Sequence, residues 1–166
     1  MLAYVALRYI CHLVTKLDYK TLAAFRYELR KFMHFSEAAA NECGLTPQQY
    51  QAILAIEGFP GRNRVTVGEL AEQLQIAAHS AVGLVDRLQG CGLLERHPSK
   101  EDRRCVYVEL TKRGRAKLEQ LAAVHRTELQ TVGPLLVGLL KQVTGTSGDA
   151  LKFASPVCFA NWEEEA

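Results

Sequence analysis

A mostly helical protein with one short β-hairpin is what this sequence implies, and three features carry the reading. Apolar residues recur at helical spacing through most of the chain. Residues 105–110 alternate with a period of two instead. Gly, Pro and Thr stand at the joints between these stretches. The 166 residues suit one domain of ordinary size. At 48% hydrophobic and 23% charged, the composition excludes a disordered or collagen-like chain. A net charge of +2 is too small to point to any partner by itself.

The first clear helix is predicted over residues 19–42. Leu22, Phe25, Leu29, Phe32, Met33 and Ser36 fall on one stripe, and Gly44 ends it. Thr46-Pro47 restarts a helix, with Thr as N-cap and Pro at the first helical position. That helix carries Tyr50, Ile53, Leu54 and Ile56 and stops at Gly58, before a loop at residues 59–63. Val65-Thr66 is a brief extended piece, and Thr66 caps the next helix. Val67, Leu70, Ala71 and Leu74 are spaced i, i+3, i+4, i+7; after a break at residues 75–77, Ala81, Leu84, Val85 and Leu88 repeat that spacing. Two short amphipathic helices across a tight turn make a helix-turn-helix.

A hairpin comes next. Residues 93–96 pair with residues 105–110, where Val106, Val108 and Leu110 share one face. The polar, charged residues 97–104 between them form an exposed loop. Thr111 caps a long helix carrying Leu118, Leu121, Ala122 and Leu129, and Gly133-Pro134 is expected to break it before a last helix to residue 143. The predicted architecture is mainly α with a small β-wing: a winged helix-turn-helix flanked by N- and C-terminal helices. Its parts are an extension over 1–20 that forms an extra helix, a first and second helix over 21–58, the winged lobe over 59–111, C-terminal helices over 112–143 and a flexible tail over 144–166.

The five cysteines are odd in number and show no C-x-x-C spacing, which argues against disulfides and structural zinc and for free thiols in a reducing cytosol. Cys91 and Cys105 are expected as buried, inert thiols. His125 sits on the apolar stripe of its helix, as a satisfied core histidine does. The apolar N-terminal stretch is shorter than the ~20 residues a bilayer span needs and contains Arg8 and His12, so no membrane partner is expected. No G-x-S-x-G, P-loop or dinucleotide-binding motif is present, so neither an enzyme nor a cofactor is expected.

An ordered set of short segments carries a resemblance. Residues 66–74 (TVGELAEQL), 84–88 (LVDRL), 92–96 (GLLER), Asp102-Arg103-Arg104 and residues 108–111 (VELT), with Gly114, together resemble the MarR family of bacterial transcription regulators. The resemblance runs from about residue 22 to residue 143. It implies a homodimer, built on the first and the C-terminal helices, that binds a pseudo-palindromic double-stranded operator. Such a protein usually acts as a repressor released by a small molecule or an oxidant.

Charge placement agrees independently. Residues 87–117 hold nine basic and four acidic side chains, a stretch far more positive than the whole chain. Basic character beside a helix-turn-helix is the footprint of a phosphate-backbone partner.

The resemblance implies that the second helix of the motif enters the major groove, presenting Ala78, His79, Ser80, Val82 and Gly83. His79 and Ser80 hydrogen-bond bases or phosphates there, and Ala78 or Val82 meets a thymine methyl. Arg87, Lys100, Arg103 and Arg104 are the expected basic contacts; Arg103 or Arg104 reaches the minor groove and Asp102 orients it. Relatives often carry Ser or Thr where Ala77 stands, and a basic residue near Ala78 or Gly83. This chain lacks both, so more of its binding is expected from phosphates, wing and DNA shape.

An effector pocket is expected where the dimer helices meet the DNA lobe, with Arg30, His34, Tyr50 and Ile53 on the first two helices as lining candidates; an Arg or His there suits a small aromatic carboxylate. Redox sensing by Cys11 or Cys43 is the weaker option. The position of the sensing cysteine in some relatives falls near Thr21. The alternative to a regulator is a winged-helix protein-interaction or redox-sensing module that reads no operator.

Overall fold

The computed structural model describes residues 16–98 and 106–144. Its elements are α1 (Lys16–Glu42), α2 (Pro47–Glu57), β1 (Arg64–Thr66), α3 (Val67–Gln73), α4 (Ala78–Gly90), β2 (Leu94–Pro98), β3 (Val106–Leu110) and α5 (Lys112–Thr144). They fall into two compact units, one of residues 31–130 and one of residues 1–30 with 131–166.

The larger unit is a winged helix. Its helices start where side chains satisfy the free backbone N–H groups. Thr46 and Gln49 form a capping box on α2, and Thr66 and Glu69 form another on α3. Gln75 adopts φ +53° in the tight turn between α3 and α4. Val65, Leu70, Leu84, Val85, Leu88, Leu94, Val108 and Leu110, all at most 2% exposed, close a core with Ile53 and Ile56 of α2 and Leu121 of α5. Burying each such side chain contributes about 1.5–3 kcal/mol.

Three antiparallel strands form the sheet, in the order β1-β3-β2. The piece expected only as extended at 65–66 is therefore an edge strand. Register pairs Val65 with Val108 and Arg96 with Val108, which puts those three on one face and Arg64, Tyr107, Glu109, Glu95 and His97 on the other. Cys105 and the wing tip lie outside the described residues.

The joint between wing and α5 is close-packed. The Thr111 N–H donates to the Leu93 carbonyl, its hydroxyl donates to the Gly92 carbonyl at 2.8 Å, and the same oxygen accepts from the Gly114 N–H at 3.1 Å. Gly114 approaches so tightly that a Cβ there would stand 2.0 Å from the Leu93 carbonyl oxygen.

The smaller unit contributes residues 16–30 of α1 and 131–144 of α5 to the described structure. Among the described residues, seven of the thirteen exposed large apolar side chains belong to it: Tyr19, Leu22, Tyr27, Leu29, Leu135, Val137 and Leu140.

Two expectations need correction. Gly133-Pro134 does not break the last helix: α5 is continuous with Pro134 inside it. Proline removes one backbone donor, and the preceding residue usually clashes with its ring through Cβ. Gly133 has no Cβ, which relieves that clash. Cys91 is exposed, not buried. It would continue the buried stripe of α4, but α4 ends at Gly90 and Gly92 turns the chain with φ +68°.

Candidate nucleic-acid interface

One face of α4 is buried through Ala81, Leu84, Val85 and Leu88. The opposite face therefore points to solvent, and Ala78, His79, Ser80, Val82, Asp86, Arg87 and Gln89 are all exposed on it; Gly83 is partly covered. Ala77 occupies the N-cap in extended conformation with no side-chain hydrogen bond, so the first N–H groups of α4 lack a side-chain acceptor.

The six described cations of residues 87–117 do not act alike. Arg96 is on β2 and turns back to α4, donating to Asp86 Oδ1 at 2.6 Å and to the Gln89 side chain. It ties the base of the wing to the exposed helix. Arg115 donates to Glu109 Oε1 at 2.7 Å and lies 3.4 Å from Glu57 Oε2. Those hydrogen bonds and charges hold the Arg115 guanidinium above the ordinary arginine range. Lys117 donates from Nζ to the Cys43 carbonyl at 2.8 Å. These three are fold residues. Arg87, Lys112 and Arg113 make no ion pair among the described residues. Lys100, Asp102, Arg103 and Arg104 lie outside those residues.

A further cationic feature is not among the contacts expected from sequence. The Arg62 guanidinium lies 4.7 Å from the Phe59 ring centre and pairs with Glu69, while Arg64 lies 4.8 Å from the Tyr107 ring centre. Alternation sets Arg64 opposite in facing to Val65, and Tyr107 to Val108, but only the pairing of β1 with β3 puts Arg64 and Tyr107 on one face.

An open pocket of about 600 Å³ lies within the larger unit. Phe32, Met33, Ser36, Tyr50, Gln51, Leu54, Ala122, His125, Arg126, Leu129 and Gln130 line it. Of the four candidates named from sequence, Tyr50 is in the lining. Ile53 is sealed in the core, His34 is exposed away from the lining, and Arg30 belongs to the other unit. His125 is buried, as expected. Its Nδ1 meets the Leu121 carbonyl at 2.7 Å and its Nε2 the Ser36 hydroxyl at 2.8 Å. The Phe32 and Phe35 rings stand edge-on to it, and Tyr50 is tilted across it at 4.7 Å. Burial pushes the Tyr50 phenol above its ordinary pKa, so it stays a neutral hydrogen-bonding group near pH 7.

Comparison with known proteins agrees with this architecture. The MarR family model matches residues 44–104, from the turn before α2 to the wing. The transcriptional activatory protein BadR of Rhodopseudomonas palustris is 33% identical over 97 residues, which are 58% of this chain and 55% of that protein. The chain thus spans about half the length of this curated relative. The crystal structure of a probable transcriptional regulator from Pseudomonas aeruginosa is 30% identical, with a TM-score of 0.53 over 70% of this chain and 89% of that one. A mutant of MepR from S. aureus, solved bound to an oligodeoxyribonucleotide, shares the fold at 17% identity. Its TM-score is 0.59 over 74% of this chain and 95% of that one.

Proposed function

Since the chain belongs to the MarR family, we propose that it is a DNA-binding transcription regulator working as a homodimer. The observation that carries this reading is the outward face of α4: a helix held by its apolar side, offering His79, Ser80, Val82 and Arg87 to solvent. A helix so held fits a major groove, and wing arginines Arg103 and Arg104 suit the adjacent minor groove, with Asp102 and Lys100 beside them. A MepR mutant that shares the fold was solved bound to an oligodeoxyribonucleotide, which supports DNA as the partner.

Two copies are needed because one lobe reads one half-site. Half-sites about 10 bp apart, centre to centre, would meet the two helices in successive major grooves. The exposed apolar side chains of residues 16–30 and 131–144 suit a surface that a second copy covers.

The pocket supports control by a small apolar ligand. Both nitrogens of His125 are already engaged, so Arg126 is the lining cation left for a carboxylate. Release of DNA by benzoate, lost in Arg126→Ala, is the expected signature. Whether DNA binding represses, as the resemblance implies, or activates, as in the curated relative's name, depends on where the operator lies relative to the promoter. A reporter assay reads that sign.

The test of DNA binding is fluorescence anisotropy with duplexes from the gene's own upstream region. Affinity should fall steeply with salt, by about 10³ or more between 50 and 200 mM if six or more phosphates are contacted. Arg104→Ala should weaken it by about 1–3 kcal/mol. No binding to any upstream duplex, with a protein–protein complex recovered instead, would favour the interaction-module alternative.

A further inference from the structure

From Ala78 to Gly83 the exposed face of α4 carries no arginine or lysine, so its first turns lack the side chains best suited to guanine. Arg87 occupies the same helical stripe as His79 and Gly83, the three being four residues apart. At Gly83 a Cβ would stand 3.5 Å from Nη1 of Arg87. The guanidinium therefore lies back over the Gly83 backbone towards His79, in the direction helical side chains take. Its neighbours Asp86 and Gln89 are both engaged by Arg96. Among the described residues no carboxylate holds the Arg87 side chain.

We propose that Arg87 reads one guanine in each half-site and that Gly83 makes this possible by leaving the helix surface beneath the guanidinium clear. The rigid planar fork is pre-organised for the paired O6 and N7 acceptors of guanine, whereas a lysine ammonium reaches them from a flexible stem with less geometric preference. Val82, exposed beside the stripe, suits a thymine methyl next to that guanine. An alanine methyl at position 83 fits against the guanidinium at ordinary contact distance; a branched side chain takes the space and lifts Arg87 away. The inference rests on the DNA-binding reading above.

The experiment is selection from a randomised duplex library by the purified full chain, by Arg87→Ala, by Arg87→Lys and by Gly83→Val, with circular dichroism confirming that each variant is folded. Wild type should enrich a strongly preferred guanine once per half-site. Arg87→Ala and Gly83→Val should lose that preference and keep the others, and Arg87→Lys should bind DNA with the preference reduced. On the selected duplex, 7-deazaguanine at that position should weaken wild type by roughly tenfold to a hundredfold and leave Arg87→Ala unaffected. Persistence of the guanine in the Arg87→Ala selection would overturn the proposal. So would a uniform loss of affinity with a shallower salt slope, because that is the behaviour of a phosphate contact. Failure of wild type to enrich any sequence would remove the DNA-binding reading itself, a separate result.

Discussion

Single residues in this chain do work that their type alone does not announce. Gly114 looks like an ordinary glycine near a helix start. Its helical backbone conformation suits any residue; what requires glycine is the Leu93 carbonyl, 2.0 Å from where a Cβ would sit. Gly114→Ala must push α5 away from the base of the wing and break the Thr111 contacts to Gly92 and Leu93. The expected cost is about 3 kcal/mol or more, at the upper end for overpacking. Urea unfolding measures it, and a loss below about 1 kcal/mol would show that the joint yields easily. The capping residues are legible from sequence, because Thr46 with Gln49 and Thr66 with Glu69 act across three residues. Ala77 is equally legible as a missing cap. Gly114 is not, because its constraint comes from a carbonyl twenty-one residues away in sequence.

At the scale of elements, the periodicities settle which faces of α3 and α4 turn inward, and the structure keeps them. Where elements meet, the sequence is silent. Arg96 reads as one more wing cation, yet it holds the wing strand to α4 through Asp86 and Gln89. Asp86 is more than half exposed, and such pairs contribute little to stability, about 0–1 kcal/mol. Their value is orientation. Arg96→Met is therefore expected to change the unfolding midpoint little while lowering DNA affinity by roughly tenfold, an order set by the loss of one positioned charged contact. Anisotropy titration beside chemical denaturation separates the two; equal losses in both would mean that Arg96 serves only the fold. The long C-terminal helix is the opposite case. Gly133-Pro134 is a sound local stop signal, but α5 runs on through it, and Gly133, lacking a Cβ, relieves one part of the steric penalty.

For the molecule as a whole, the question is what covers its apolar surface. Tyr19, Leu22, Tyr27, Leu29, Leu135, Val137 and Leu140 are each 41% exposed or more, apart from Leu140 at 36%. A lone soluble chain seldom leaves so many in one unit. Sedimentation should give twice the 18.5-kDa chain mass. Leu135→Glu combined with Leu140→Glu should shift it to the single-chain mass and abolish DNA binding at the same concentration, since two half-sites need two lobes. Wild type sedimenting at the single-chain mass would defeat the homodimer. The apolar stripe of α1 is visible in the sequence as Leu22, Phe25, Leu29, Phe32 and Met33. That Leu22, Leu29 and Met33 of this stripe stay exposed is not, because exposure depends on which other elements pack against the helix.

Local rules thus suffice for the helices other than the unbroken α5, for the caps, the hairpin and the outward face of α4, because those features depend on residues within a turn or two of one another. Tertiary structure alone sorts the six described cations of residues 87–117 by their partners. Arg96, Arg115 and Lys117 are spent on Asp86, Glu109 and the Cys43 carbonyl, while Arg87 lies over Gly83 with no carboxylate partner among the described residues. Charge is written in a sequence one residue at a time, but whether it is available to a partner depends on which carboxylates and carbonyls the fold brings within about 3 Å of it.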